Sequence, residues 1–121
     1  MSLIDEIVRG DADRGKEPGF PHAPEGWTRD RALEAARSEN LELTEAHWEA
    51  LRALQAYYAR HGDDGINLRA LHDALDEKFH AEGGIRQLYR LFPGGPVAQG
   101  CRLAGLKPPA GATDKGFGSV A

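Results

Sequence analysis

The sequence predicts a mostly α-helical fold: one small bundle that contains a helix-turn-helix-like pair and has an irregular segment at each end. Three observations predict it. Apolar side chains recur at steps of three and four through residues 27–92, the period of a helix with one buried face. Proline and glycine, which break helices, gather on either side of that stretch. The chain has 121 residues, 40% of them apolar and 28% charged, which suits a single compact core rather than a disordered chain.

Three zones follow: an N-terminal extension or hairpin over 1–26, a helical domain over 27–106, and a flexible C-terminal arm over 107–121. In the first zone Ser2 is placed to cap a short helix with Leu3, Ile4, Ile7 and Val8 on one side and Gly10 at its end. Residues 11–26 hold three prolines and three glycines, and read as loop or short hairpin.

In the second zone Thr28 caps a helix running to about Asn40, with Leu33 and Ala36 facing inward. Thr44 caps the next helix. His47, Leu51, Leu54 and Tyr58 share one face of it, and Trp48 and Tyr57 widen that face, so this helix is expected at the centre. Gly62 and Gly65 end it. Asn67 caps a third helix with Leu68, Leu71, His72, Leu75 and Phe79 in register, and Arg69 and Asp73 stand at an i,i+4 spacing that favours a pair worth about 0.3 kcal/mol. Gly83 and Gly84 stop it, and a short helical turn follows with Ile85, Leu88 and Tyr89.

The break Pro93-Gly94-Gly95-Pro96 puts a proline at the first turn of a last helix, which runs to about Ala104 with Val97, Cys101 and Ala104 on one face. Gly105 ends it. Beyond Leu106 the prolines and glycines deny further helix, and Phe117 is the one large apolar residue there.

Charge and composition exclude several functions. The net charge is −4; residues 93–121 hold three basic side chains and one acid, leaving −6 on residues 1–92. An acidic body argues against a protein that works by coating nucleic acid. No apolar run approaches the ~18 residues of a membrane span, and residues 1–10 lack the basic start of a secretory signal. The one cysteine, Cys101, excludes an internal disulfide or a multi-cysteine metal site, and fits a cytoplasmic location.

Chemistry is sparse. A lone cysteine on a helix face is most often a small buried hydrophobe. As a nucleophile it would need a nearby cation or a helix N-terminus to form thiolate; Arg102 is adjacent but points elsewhere, and Cys101 lies past the first turn. None of His22, His47, His61, His72 and His80 pairs at the i,i+4 spacing of a helical metal site, so neither a metal nor a cofactor is expected. His47 and His72 read as hydrogen-bonded core residues. No P-loop, nucleophile elbow or dinucleotide fingerprint is present. The pair of helices over 44–61 and 67–80 has the shape of a helix-turn-helix, yet Asp73, Asp76 and Glu77 occupy the second helix where a DNA reader carries basic and amide side chains.

A larger pattern lies across these elements. Leu43-Thr44, His47-Trp48, Tyr57-Tyr58, the run Leu88-Tyr89-x-Leu91-Phe92-Pro93-Gly94-Gly95-Pro96, Gln99-x-Cys101 and Ala104-Gly105-Leu106 together resemble the DsrC/TusE family of sulfur-relay proteins, which includes the gamma subunit of dissimilatory sulfite reductase. Trp27, Arg69 and Pro109-x-Gly111 fit the same pattern, so the resemblance covers roughly residues 27–111. It implies a mostly helical fold with a short N-terminal β-hairpin and a flexible C-terminal arm. It also implies a protein that hands sulfur on between sulfurtransferases and an acceptor. Carried onto this chain, it makes Cys101 the candidate sulfur-carrying thiol and Arg69, Gly94, Gly95, Gln99, Lys107, Gly111 and Ala112 the candidate binding residues.

Two departures stand out. Carriers of this family end their arm in Gly-Cys, and that cysteine is the reactive one; here the corresponding step is Gly111-Ala112, and nine more residues follow. Alanine holds no persulfide, so a mechanism that needs an arm sulfur is closed to this chain. At the front, Pro21 and Pro24 follow Gly19-Phe20 where the family continues a strand, so the hairpin is expected to be short or distorted. Three readings result. The first is a non-catalytic or regulatory binding partner of sulfur-transfer proteins or of a sulfite-reductase-type complex, soluble, and a monomer or weak homodimer. The second is a sulfur carrier acting through Cys101 alone. The third, a DNA-binding regulator, rests on the helix pair.

Overall fold

The computed structural model describes residues 17–62 and 65–112. Among these it holds five α-helices and no strand: α1 (Arg29–Ser38), α2 (Glu45–His61), α3 (Leu68–Lys78), α4 (Gly84–Leu91) and α5 (Ala98–Ala104), with a 3₁₀ turn at His80–Glu82. The expected front helix over residues 2–10, and Phe117, lie outside the described residues. The hairpin expected over 1–26 finds no support in residues 17–26. Three successive backbone turns, Phe20 N–H to Glu17, Ala23 N–H to Phe20 and Trp27 N–H to Pro24, run through them instead. The prolines there deny the alternating donors a ladder needs.

The helix ends carry the chemistry their sequences call for. Thr28 Oγ1 accepts from Arg31 N–H at 3.1 Å, and Asn67 Oδ1 from Ala70 N–H at 2.9 Å. α1 closes with Asn40 left-handed (φ 59°) and Leu41 N–H reaching back to Ala36 O. At the start of α2 the side chain three residues on is a histidine rather than the usual Glu or Gln: Thr44 N–H donates to His47 Nδ1 at 2.9 Å. Because Nδ1 accepts, the ring proton sits on Nε2, which donates to Leu91 O at 2.7 Å. His47 therefore ties the first turn of α2 to the last residue of α4.

α2 is the central element, packed on α5 and α4, while α1 lies on α5 and α3 on α4. Leu51, Leu54, Leu71, Leu88, Phe92 and Leu103 form the fully buried centre. Two expectations are corrected here. Leu33, expected inward, is 38% exposed; Ala36 is buried as expected, and Ala32 rather than Leu33 joins it, two small residues that allow close approach to α5. Arg69 and Asp73 form no ion pair; both are exposed, where the entropy of holding two solvated side chains together offsets the attraction.

The segment before α1 is pinned by an aromatic cluster. Phe20 is fully buried, 4.9 Å from the Trp27 ring and edge-on to Trp48 at 5.8 Å. The guanidinium groups of Arg29 and Arg52 lie over its faces at 5.1 and 4.6 Å. Arg52 Nε also donates to Gly19 O at 2.9 Å.

Candidate functional site

α5 carries the residues the sequence singles out, and the body closes round it. Six of its seven residues are buried, so it is a core helix rather than one with a single inner face. Small residues make this possible: a Cβ on Gly100 would stand 2.7 Å from Leu54 Cδ1. A buried helix end leaves its last carbonyls without water, and each must find a partner. Leu106 N–H reaches Cys101 O at 2.8 Å and Gly105 N–H turns to Arg102 O, with Gly105 left-handed at φ 79°. Trp27 Nε1 donates to Leu103 O at 2.8 Å and Gln55 Nε2 to Ala104 O at 3.0 Å. All four final carbonyls are thus satisfied, two of them by side chains from distant elements.

Cys101 sits inside this cap at 0% exposure. Its thiol donates to Tyr58 Oη at 3.6 Å, and Tyr58 Oη in turn donates to Lys107 O at 2.5 Å. Burial pushes the thiol up to about 11, against a smaller lowering by the Tyr58 hydroxyl. Little thiolate therefore forms at neutral pH. Arg102 does not reach the sulfur. Its Nε and a terminal nitrogen hold the Glu39 carboxylate at 2.8 and 2.9 Å.

That carboxylate is the hub of a polar network. Glu39 Oε1 also accepts from Gln99 Nε2 at 2.7 Å, and Gln99 Oε1 accepts from Gly94 N–H at 2.9 Å. The Glu39 side chain is 7% exposed, and the Arg102 hydrogen bond, foremost among its contacts, holds it below the usual carboxylate range against the opposing effect of burial. The network fastens the end of α1 and the Pro93–Pro96 turn to α5. Sequence reading placed Gln99 and Gly94 in the candidate set but missed Glu39, whose position just past a helix end offered no periodic signal.

Residues 107–112 carry no helix and lie folded against the body. Pro109 is buried, and Ala112 N–H closes a turn on Pro109 O at 3.2 Å. Gly111, at φ 93°, lies beside α3, where a Cβ would make van der Waals contact with Leu68 Cδ2 at 3.4 Å. Gly111 and Ala112 border a cleft of about 190 Å³ with Leu68, His72, Tyr89, Gly95 and Ala98. The structure thus brings Gly95, Gly111 and Ala112 together at this cleft, and joins Gln99 to Gly94. Lys107 contributes its carbonyl, while its side chain is exposed. Arg69 borders neither group. Cys101 does not border the cleft, although Val97 and Ala98 one turn earlier do. His72 is half-buried, its ring edge-on to Tyr89 at 6.1 Å. Among the described residues no cluster of three or more His, Cys, Asp or Glu could hold a metal ion, and no helix is long and apolar enough to cross a membrane.

The helical scaffold has solved counterparts. The NMR structure of Allochromatium vinosum DsrC superposes with a TM-score of 0.59 at 40% identity, covering 70% of this chain and 76% of the other. The crystal structure of the oxidized gamma-subunit of the dissimilatory sulfite reductase (DsrC) from Archaeoglobus fulgidus gives 0.57 at 32% identity, covering 72% and 80%. These define the class, a helical protein of the DsrC type. The family model described as DsrC like protein matches residues 8–112, and the chain belongs to that DsrC/TusE family of sulfur-relay proteins. Among its relatives, sulfurtransferase TusE of Photorhabdus laumondii is 37% identical over 108 residues, covering 88% of this chain and 96% of the relative. The sulfurtransferase TusE homolog of Haemophilus influenzae is 40% identical over 85 residues, covering 69% and 77%. The family match ends at Ala112.

Proposed function

We propose that this chain docks with sulfur-transfer proteins without itself carrying sulfur. The observation that carries the reading is the absence of any reactive thiol. The one cysteine is fully buried with its thiol pushed up to about 11, and the last position matched by the family is alanine. The docking face in this reading is the one formed by the Pro93–Pro96 turn, Gln99 and the folded segment at Gly111–Ala112. Such a member regulates by occupying a partner that a sulfur-bearing relative would otherwise meet. The partner is a sulfur-transfer protein or a sulfite-reductase-type complex, and the chain itself is a monomer or weak homodimer.

A second reading, a carrier working through Cys101, is favoured by relatives that are named sulfurtransferases. It requires α5 to open, because a persulfide donor must reach a sulfur now shielded on all sides. One experiment separates the two. The folded protein is exposed to a small persulfide donor and its intact mass is measured. Docking without transfer predicts no gain, whereas Ala112→Cys gains one sulfur atom at the new thiol. A sulfur atom on Cys101 of the unaltered protein sinks the proposal. The DNA-binding reading has no support beyond the α2–α3 pair, since Asp73, Asp76 and Glu77 are all exposed on α3.

A further inference from the structure

A groove of about 550 Å³ lies between α2, the end of α3 and α4, and plays no part in the reading above. Phe79 and Leu88 make its buried floor, while Leu91 is half-buried and Ala46 exposed, so apolar surface is left open to a further layer. Ala46 is small and leaves the room that a larger residue in the first turn of α2 would fill. Glu49, at the rim, also borders a smaller cleft further along α2, where Pro21 is exposed and Ala56 half-buried. The two clefts form one line along α2, and from Ala46 to Ala56 that line measures about 15 Å.

Residues 1–16 lie outside the described residues, and the place where they join the body is known. Glu17 O accepts from Phe20 N–H at 2.9 Å, so the segment meets the body within one turn of Pro21, at one end of the line. Its sequence carries Leu3, Ile4, Ile7 and Val8 at the spacing of one helical stripe, with Ser2 as cap and Gly10 as stop. A helix shorter than about 12 residues is marginal in water by itself and needs an apolar surface to pack against. We infer that residues 2–9 form a helix whose aliphatic stripe seats in this groove. A helix of that size is about 12 Å long, which matches the line on α2. Residues 11–16 span up to roughly 20 Å when extended, and such a tether holds the stripe at ~mM effective concentration. It also sets the direction. Arg9 comes to the end near Glu49, and Ser2 points toward Glu82, where the positive pole of the helix meets an acid. Other clefts suit the stripe less. The one of about 190 Å³ already holds Gly111 and Ala112, and the one beside Trp27 is rimmed by Glu25, Arg31 and Arg102.

The test is NMR of the full chain, isotopically labelled. The expected result is nuclear Overhauser contacts from the methyl groups of Leu3, Ile4 and Ile7 to those of Ala46 and Leu91, with amide exchange over residues 3–9 slowed at least ~10-fold against an unstructured chain. Ile7→Asp should abolish both while leaving the signals of α1, α3 and α5 in place, because it changes no residue of the body. Ala46→Asp tests the other side of the contact: Ala46 is exposed, and an acid in the first turn of α2 suits the helix, so the fold is kept while a charge enters the groove. It too should return residues 3–9 to fast exchange. Unprotected amides over 3–9 in the unaltered chain overturn the inference, as does protection that survives Ala46→Asp. Methyl contacts to the cleft beside Trp27 overturn it as well. So do contacts seen only between a labelled and an unlabelled copy, which would make a second copy the occupant.

Discussion

Tyr58 and Trp27 show how single side chains hold the candidate site. Each sends one polar atom to a backbone carbonyl far along the chain, Trp27 to the buried Leu103 O and Tyr58 to the part-buried Lys107 O, so each is worth more than its apolar area. Trp27→Phe keeps most of the ring contact with Phe20 but strands Leu103 O. We expect a loss of about 1–3 kcal/mol in denaturant unfolding. A change below about 0.5 kcal/mol would mean the carbonyl had found another donor. Cys101 is the converse case, a reactive atom type in an inert place. A bulky maleimide should label the native protein slowly, and labelling should speed up sharply in denaturant, since both access and thiolate are lacking in the fold. Rapid labelling of the native protein would contradict the buried position. Burial of Cys101 was legible in its spacing with Val97 and Ala104. The role of Tyr58 was not, because a tyrosine on an apolar helix face shows where its ring goes and nothing of what its hydroxyl meets. Gln55, a polar residue one turn from Tyr58 on that same buried side, was the one available signal that α2 carries a polar task.

Helix contacts add two further expectations. Glycine in a helix costs about 0.5–1 kcal/mol relative to alanine, so Gly100→Ala in isolation would favour α5. Here the new Cβ would stand 2.7 Å from Leu54 Cδ1, in a core where Leu54 is 1% exposed and has little room to turn. Overpacking of this kind costs about 1–3 kcal/mol, so the substitution should destabilise on balance. Pairing it with Leu54→Ala should recover part of that loss, and simple additivity in the double-mutant cycle would refute the contact. The two titrating staples between helices give a pH dependence with a definite sign. His47, which joins α2 to α4, has its pKa lowered, first by burial, against a raising effect of the Leu91 carbonyl. The unfolded chain therefore binds more protons just below the ordinary histidine value. Its contribution is whole above pH 6.5 and falls as the pH drops through the lower folded value. Glu39 is also lowered, so its contribution is whole above pH 4.5 and declines below that. Unfolding followed by circular dichroism from pH 8 to pH 3 should show stability falling in both windows. Glu39→Gln should remove the lower one and cost about 1–3 kcal/mol at neutral pH through the lost bonds to Arg102. An unchanged acid profile in that variant would assign the lower window to other carboxylates.

At the scale of the whole molecule, the question is how firmly residues 107–112 are seated. Tyr58 Oη, Leu68 and the cleft beside Ala98 hold them, and each contact reaches far along the chain. Tyr58→Phe should loosen the seat without emptying the core. We expect faster amide exchange over residues 107–112 and a stability loss of about 1 kcal/mol. A cysteine placed at 112 reports the same event: it should react with maleimide well ahead of Cys101, and faster again when Tyr58→Phe is added. Equal labelling of the two single-site backgrounds would show that the hydroxyl does not anchor the segment. By itself the sequence determined the helices, because period, caps and glycine stops are local properties of seven to seventeen residues. It also determined the family, through the run from Leu88 to Pro96 and its following Gln99 and Cys101, and it showed that no second thiol exists. Only the tertiary structure decided that α5 is enclosed on all sides, that Arg102 serves Glu39 rather than the sulfur, and that Gly111–Ala112 rests on α3 and α5. Those outcomes depend on which carbonyl, carboxylate or methyl group arrives from 40 to 76 residues away, and no local pattern of side chains carries that information.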